Sequence, residues 1–361
     1  MSLHTVWFII VATFWCGFFF LEGFDFGVGI LHTVVGKTDG ERRMVINTIG
    51  PFWDGNEVWL IVAGAAIFAA FPQWYATMFS TFYLALLLVL VSLIVRGVSF
   101  EFRGKMDDPR WQATWRWCMT IGSALVPFLL GVALGDLLNG LPINSHHEYT
   151  GSFWNLLTPF GIYTGLTFLS LAVLTGANFL AIKTTGAVKE RSDAVSRRFS
   201  WVAAALTIGY IIWSTIEISG VLPNPVAIVA GLAVLAAVWL GTTHSHGWAF
   251  GVSAVAMVSA VAVIFINLYT NVMVSSTNSA YNLTVSGTSS GSYALKVMTV
   301  VAVIFTPLVL AYQSWNYWVF RGRLKAPPQG SDQPGDDGSS SPAPVAADVA
   351  PGAVSGEGDA G

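Results

Sequence analysis

The stretch TVWFIIVATFWCGFFFLEGFDFGVGILHTV at 5–34 contains only two charged side chains, Glu22 and Asp25. A membrane helix needs about 20 apolar residues to cross roughly 30 Å of hydrocarbon, and this stretch exceeds that length. Because lipid offers the backbone no hydrogen-bond partner, a continuous apolar run must satisfy its own amide groups as a helix. The stretch therefore predicts a membrane-spanning helix that carries two carboxylates.

The composition of the whole chain extends this interpretation. The 361 residues are 54% hydrophobic and only 10% charged, whereas soluble domains carry about 25% charged residues. The net charge is −3, and no basic patch with interleaved aromatic residues is present, which argues against a nucleic-acid-binding surface. The composition thus predicts a polytopic protein whose main partner is membrane lipid.

Eight further apolar runs follow the first, so we predict an all-α membrane protein with nine transmembrane helices. They lie at 48–71, 76–97, 117–138, 158–182, 200–220, 225–242, 248–270 and 295–320. Residues 1–325 would form this transmembrane domain. The remainder, 326–361, is rich in Pro, Gly, Ser and acidic residues and has no aromatic residue, a composition that predicts a disordered tail.

The distribution of basic residues orients the predicted helices. Connections after the even-numbered runs contain no Lys or Arg, and Lys296 lies just inside the ninth run. Cytoplasmic loops carry the excess of Lys and Arg, so the N-terminus is expected outside and the C-terminus in the cytoplasm. The basic residues that follow runs one, three, five and nine are Lys37, Arg42, Arg43, Arg103, Lys105, Arg110, Arg116, Lys189, Arg191, Arg197, Arg198, Arg321, Arg323 and Lys325.

A weak internal repeat suggests how the helices are grouped. Glu22-Gly23-Phe24-Asp25-Phe26 in the first run corresponds to Thr175-Gly176-Ala177-Asn178-Phe179 in the fifth. Parallel repeats of this kind predict two four-helix bundles and one extra helix. The two halves would be about 1–140 and 141–270, with the ninth helix at 295–320.

Carboxylates inside apolar runs are the candidate functional residues. Glu22 and Asp25 share one helix face, and Asp54 and Glu57 repeat the spacing at the start of the second run. Each ionised carboxylate facing lipid would cost roughly 2.5–3.5 kcal/mol, so these groups must face protein or water, or have a cationic partner such as Arg96. They predict either a proton path or a buried ion-pair network. The alternative is that they are polar packing contacts between helices.

Residues around the carboxylates support this interpretation. Gly23 and Gly27 let a second helix backbone approach closely. Gly55 belongs to the Pro- and Gly-containing start of the second run, which predicts a kink. Asn56 is expected to hydrogen-bond across helices, and Trp53 to lie at the membrane interface or in a lipid or quinone groove.

The histidines lie at segment ends or in connections rather than deep in the runs. A membrane heme needs axial ligands held within a helix bundle, so any redox metal is expected on another chain. The alternative of a metal site at His146, His147 and Glu148 has little support, because paired histidines in exposed loops are common. No metal is therefore predicted on this chain.

Five segments resemble subunit II of cytochrome bd-type quinol oxidases, and the resemblance extends from the first helix to about residue 325. They are GFDFGVG at 23–29, ERRMVINTIGPFWDGNEVWLI at 41–61, RGVSFEFRGK at 96–105, GVALGDLLNGLP at 131–142 and TPFGIYTGL at 158–166.

This resemblance implies a bacterial plasma-membrane complex that oxidises menaquinol or ubiquinol and reduces dioxygen to water. Two b-type hemes and one d-type heme would be held by subunit I. This chain would bind no heme, pair with subunit I, support heme assembly and contribute to a cytoplasmic proton channel. Some family members also hold a structural quinone in this subunit.

The resemblance also assigns roles to residues. The family's channel aspartate falls on Asp54, its first-helix aspartate on Asp25 and its channel arginine on Arg96. The chain departs from some members at Phe52, where they have His. Two other functions fit the same residues: a proton-coupled secondary transporter, and a purely structural membrane partner.

Overall fold

Eleven α-helices make up most of the computed structural model, which describes residues 1–216, 223–243 and 245–325. The predicted tail at 326–361, His244 and the end of the sixth run lie outside the described residues. The helices are α1 (Leu3–Val35), α2 (Asp39–Asn47), α3 (Trp53–Ala70), α4 (Pro72–Thr81), α5 (Tyr83–Phe102), α6 (Pro109–Asn139), α7 (Pro159–Lys183), α8 (Gly186–Ser214), α9 (Pro225–Thr242), α10 (His246–Leu268) and α11 (Ser292–Val319).

The all-α class predicted from the sequence is confirmed, but fewer helices than predicted qualify as membrane spans. Among the described residues, seven helices are long and apolar enough to cross a membrane: α1, α5, α6, α7, α9, α10 and α11. The helix α3 starts with the polar residues WDGNE, and α8 carries its charged residues in its first half. These polar segments lower the hydropathy of both helices.

Helix α1 lies at the centre of the bundle and contacts α3, α6, α7, α10 and α11. It crosses α7 where Gly27 faces Gly176. The two backbones are so close there that a Cβ atom on Gly27 would lie 2.0 Å from the carbonyl oxygen of Ala172. Phe24 and Phe179 stack beside this crossing with ring centroids 4.3 Å apart. The close approach explains why residues 22–29 of α1 are all buried.

Helix α11 lies at the edge of the bundle with most of its apolar residues exposed. Hydrogen bonds join its C-terminal end to the end of α7. The ammonium group of Lys183 donates hydrogen bonds to the carbonyl oxygens of Phe320 and Gly322, and the amide of Leu324 donates to the carbonyl of Lys183 at 2.8 Å. A cation at the last carbonyl groups of a helix also matches the helix dipole.

The end of the bundle opposite α2 is closed by a small irregular cap. Strands β1 (Asn271–Met273) and β2 (Leu283–Thr284) pair antiparallel there. The hydroxyl of Ser275 donates to the carbonyl of Ile143 at 3.0 Å, so the connection after α6 is tied to the connection after α10. Two 3₁₀-helices, Phe153–Leu156 and Ser279–Tyr281, complete the cap.

Candidate functional site

A buried ion-pair group joins α1, α3 and α5. Nη1 of Arg96 lies 2.7 Å from Oε1 of Glu22 and 3.2 Å from Oε2 of Glu57. The side chains of Arg96 and Glu22 are 0% exposed, whereas that of Glu57 is 24% exposed. The group therefore has a sealed inner end at Glu22 and an outer end at Glu57.

Aromatic side chains surround the arginine. The guanidinium carbon of Arg96 lies 4.9 Å from the ring centroid of Phe26 and 5.5 Å from that of Phe100. Trp53 stacks on Phe100 at 4.7 Å and lies 5.9 Å from the guanidinium carbon. Arginine is weakly hydrated and favours such aromatic faces, so these rings stabilise the charge away from water.

Asn56 connects the second buried acid of α1 to the outer helix α11. Its Nδ2 donates to Oδ2 of Asp25 at 2.7 Å and to the carbonyl of Leu21 at 3.3 Å. Its Oδ1 accepts from Nε2 of Gln313 and from the hydroxyl of Tyr317, each at 2.9 Å. The amide thus uses both of its donors and both lone pairs of its acceptor.

A groove between α3 and α11 lies beside this amide and has a volume of about 410 Å³. Asn56, Gln313 and Tyr317 contribute polar atoms to a lining that is otherwise mostly apolar. Nε1 of Trp59 donates to Oε1 of Gln313 at 3.0 Å within the same groove. Apolar surroundings make each of these hydrogen bonds costly to lose, because no solvent replaces it.

The structure brings most of the predicted site residues together and separates Asp54 from them. The residues that meet are Glu22, Asp25, Trp53, Asn56, Glu57 and Arg96. Asp54 is exposed on the opposite side of α3 from Asn56, and Gly55 is exposed at the groove that Asn56 also lines. The carboxylate of Asp54 is therefore outside the ion-pair group, one helical turn from Glu57.

The two predicted glycines differ in how tightly they are packed. A Cβ atom on Gly27 would collide with the α7 backbone, whereas a Cβ atom on Gly23 would meet only the terminal methyl of Met257 at 3.3 Å. Gly27 thus lets α7 approach α1, and its neighbours Phe24 and Phe26 are buried as a result.

Sequence reasoning missed three polar residues that the structure makes prominent. Gln313 and Tyr317 stand four residues apart in the ninth run, a spacing that places them on one helix face. Asp136, inside the fourth run, is 0% exposed, and Thr158 donates to its Oδ1 at 2.5 Å. A search for every polar side chain within apolar runs would have selected all three.

The histidines that the structure describes place few imidazole ligands for a metal ion inside the bundle. His32 is buried near the end of α1, and its Nδ1 lies 2.7 Å from the carbonyl oxygen of Gly29. In the part of the chain that the structure describes, no group of three or more His, Cys, Asp or Glu residues could hold a metal ion.

The fold and this site define a multi-pass helical membrane protein with a buried carboxylate–arginine group. Residues 3–320 match the sequence model of cytochrome bd terminal oxidase subunit II, and the chain belongs to that family. It is therefore a subunit of an oxidoreductase complex in a bacterial membrane.

Individual relatives agree with this assignment. The chain is 40% identical to cytochrome bd ubiquinol oxidase subunit 2 of Bacillus subtilis, over 90% of this chain and 97% of the relative. It is 35% identical to cytochrome bd-I ubiquinol oxidase subunit 2 of Escherichia coli K12, over 89% and 95%. The fold is similar to a chain in the structure of bd oxidase from Geobacillus thermodenitrificans, with a TM-score of 0.70 and 17% identity over 88% of this chain and 98% of that one.

Proposed function

We propose that this chain is a heme-free subunit of a quinol-oxidising, dioxygen-reducing complex and supplies part of its cytoplasmic proton-uptake path. It pairs with a heme-bearing subunit I and supports heme assembly there. The two b-type hemes and the d-type heme of that partner supply electron transfer and oxygen reduction. The relatives named above are ubiquinol oxidase subunits, which supports this assignment.

The observation that carries the proposal is an excess of carboxylates over cations. Glu22, Glu57 and the neighbouring Asp25 surround the single guanidinium of Arg96. If all three acids were ionised, the group would hold two uncompensated negative charges in a medium of low dielectric constant. Such a state is strongly unfavourable. The group is therefore expected to bind protons and to exchange them when the local field changes.

The exposure of the acids gives the proposed path a direction. Asp54 is exposed, Glu57 is partly exposed, and Glu22 and Asp25 are fully buried. A proton would pass from the surface of α3 at Asp54 to Glu57, and then through the ion-pair group to Glu22 and Asp25. Arg96 would stabilise whichever carboxylate is ionised during the transfer.

The proposed topology places this path at the cytoplasmic side. Nine membrane helices, with the N-terminus outside, would bring the basic connections and α2 to the cytoplasm. Residues 1–140 and 141–270 would form the two four-helix halves, and α11 would be the ninth helix. The proton-uptake path then starts on the same side as the charged connections.

The test uses the purified oxidase complex with Asp25→Asn in this subunit, and Asp107→Asn as a matched control in an exposed loop. Heme absorbance measures assembly, and oxygen consumption with a quinol substrate measures turnover. We expect intact hemes and at least about a hundredfold loss of turnover with Asp25→Asn, the lower end of what one positioned proton-transfer group typically contributes. Wild-type turnover in a fully assembled variant would refute the proton path and favour a structural role.

A further inference from the structure

The side chains of Gln313 and Tyr317 fix the orientation of the Asn56 amide. Both donate to Oδ1 of Asn56 at 2.9 Å, from one face of α11. Nε1 of Trp59 donates to Oε1 of Gln313, so the amide of Gln313 is itself oriented with Nε2 toward Asn56. The result is a chain of donors that runs from Trp59 through Gln313 and Asn56 to Asp25.

The reversed orientation of Asn56 would be strongly disfavoured. A rotation of its amide by 180° would point Nδ2 at the two donors of α11 and Oδ1 at the carboxylate of Asp25 and the carbonyl of Leu21. Nδ2 would then face the donor Nε2 of Gln313, and Oδ1 would face the carbonyl of Leu21 and the ionised carboxylate of Asp25, so three of the four hydrogen bonds would be lost. The hydroxyl of Tyr317 can also accept and would receive Nδ2–H. The helix α11 therefore determines that Asp25 faces an N–H group.

We propose that Gln313 and Tyr317 are positioning residues that control how firmly Asp25 holds its proton, an inference that rests on the proposed function. An N–H group facing a carboxylate stabilises the ionised form, whereas a carbonyl oxygen in the same place stabilises the protonated form. The apolar lining of the adjacent groove leaves little water to compensate. The α11 donors thus favour release of the Asp25 proton.

The other titratable groups that act on Asp25 come from four helices. Glu22 is on its own helix, Glu57 is on α3 and Arg96 is on α5. The hydroxyl of Tyr317 is the titratable group on α11 that faces this site. Variants of Gln313 leave all four in place, and Tyr317→Phe removes only a hydroxyl while keeping the ring that stacks on Phe52 at 4.4 Å.

The experiment measures the pH dependence of turnover in the complete complex that carries Tyr317→Phe and Gln313→Met together. Without the two donors, the Asn56 amide loses its preferred orientation, and Asp25 holds its proton more tightly. We expect the pH profile to move to higher pH by about one unit, the size of one hydrogen bond to a charged group. Tyr293→Phe, the same substitution at an exposed position of α11 outside the groove, serves as the matched control and should leave the profile unchanged.

A second readout separates this inference from the proposed function. The infrared absorption of the protonated Asp25 carboxyl, assigned by its absence in Asp25→Asn, can be titrated in the resting complex without turnover. An unshifted titration in a heme-loaded double variant would overturn the positioning role, even if Asp25→Asn is inactive. A shifted titration would support it, even if Asp25→Asn retains turnover. If the double variant loses heme, the same titration with Gln313→Met alone decides, with at least about half the shift expected, because Nε2 of Gln313 is the donor that cannot accept from Asn56.

Discussion

Arg96 and Glu22 form an ion pair at 2.7 Å, and neither side chain reaches the surface of the chain. Burying two charges costs several kcal/mol for each ion, and their mutual attraction offsets that cost only when the geometry is good. The pair also has a third member, Glu57, at 3.2 Å. Arg96 is therefore the residue on which the electrostatic balance of the whole group depends.

Removal of this arginine is expected to destabilise the subunit severely. Arg96→Met leaves the buried Glu22 without its cation, and breaking a buried pair in this way typically costs about 3–5 kcal/mol. We expect a large loss of assembled complex, measured as heme absorbance per unit of purified protein. The matched control is Arg43→Met, because Arg43 is 59% exposed in its pair with Asp39; its effect should stay within about 0.5 kcal/mol.

The double variant Glu22→Gln with Arg96→Met tests the reason for that loss. It removes both charges, so much of the assembled complex should return relative to Arg96→Met alone. If the double variant is as unstable as the single one, the arginine acts through its packing against Phe26 and Phe100 rather than through the ion pair.

Much of the site could be predicted from the sequence because lipid tolerates so few charges. Charged side chains within membrane helices pair with one another, so the assignment to such helices predicts the contacts among Glu22, Glu57 and Arg96. The face of α3 on which Asp54 lies was harder to predict. A spacing of three residues places Asp54 and Glu57 on one face, but only the packing of α3 against α1 shows that Asn56 points inward and Asp54 outward. Gln313 meets Asn56 across 257 residues of chain, a contact that no local pattern encodes.

The fold was predictable to a similar degree. Hydropathy located the apolar helices but did not reveal α2, which is only nine residues long and strongly polar. Its signal was the capping box of Thr38 and Glu41, in which each side chain accepts a hydrogen bond from the other residue's backbone amide. The pairing of β1 with β2 depends on the tertiary arrangement of two connections, so propensity alone could not predict it.

The helix crossing at Gly27 gives a prediction about packing. Gly27→Ala would place a methyl group 2.0 Å from the carbonyl oxygen of Ala172, so α1 and α7 must separate. Overpacking of this kind typically costs about 1–3 kcal/mol, and we expect the thermal midpoint of heme loss to fall. Gly23→Ala is the control on the same helix, because its methyl group meets only the flexible end of Met257. Equal midpoints for the two variants would contradict the close crossing.

The ion pair between Glu41 and Arg191 gives a prediction about pH. The guanidinium contacts both carboxylate oxygens, at 2.5 and 3.1 Å. This hydrogen bonding from Arg191 lowers the pKa of Glu41 below its usual value of 4.5. A carboxylate whose pKa is lower in the folded state stabilises the fold above its unfolded pKa and loses that contribution as pH falls through the folded value. The contribution should therefore be complete at neutral pH and decline below about pH 4.5.

Arg191→Met tests this linkage between α2 and α8. At pH 7 the variant should lose about 1 kcal/mol of stability, and less at high salt, because a partly exposed pair is screened. Below pH 4.5 its thermal midpoint should converge on that of the wild type. Arg198→Met, at an exposed position of the same helix, is the control. A difference between Arg191→Met and wild type that does not change with pH would show that the pair is not the cause.

The hydrogen bond from Thr158 to Asp136 predicts that the Thr158 hydroxyl stabilises the packing of α6 against α7. Oγ1 of Thr158 donates to Asp136 at 2.5 Å and accepts from the amide of Gly161 at 2.9 Å, so one atom serves both a buried carboxyl and the first turn of α7. Thr158→Val keeps the shape but removes both bonds, and the unsatisfied partners should cost about 1–3 kcal/mol in thermal stability. Thr158→Ser keeps the hydroxyl and should remain close to wild type. If Thr158→Ser is instead less stable than Thr158→Val, the methyl packing of Thr158 matters more than its hydroxyl, and the two hydrogen bonds do not hold α6 to α7.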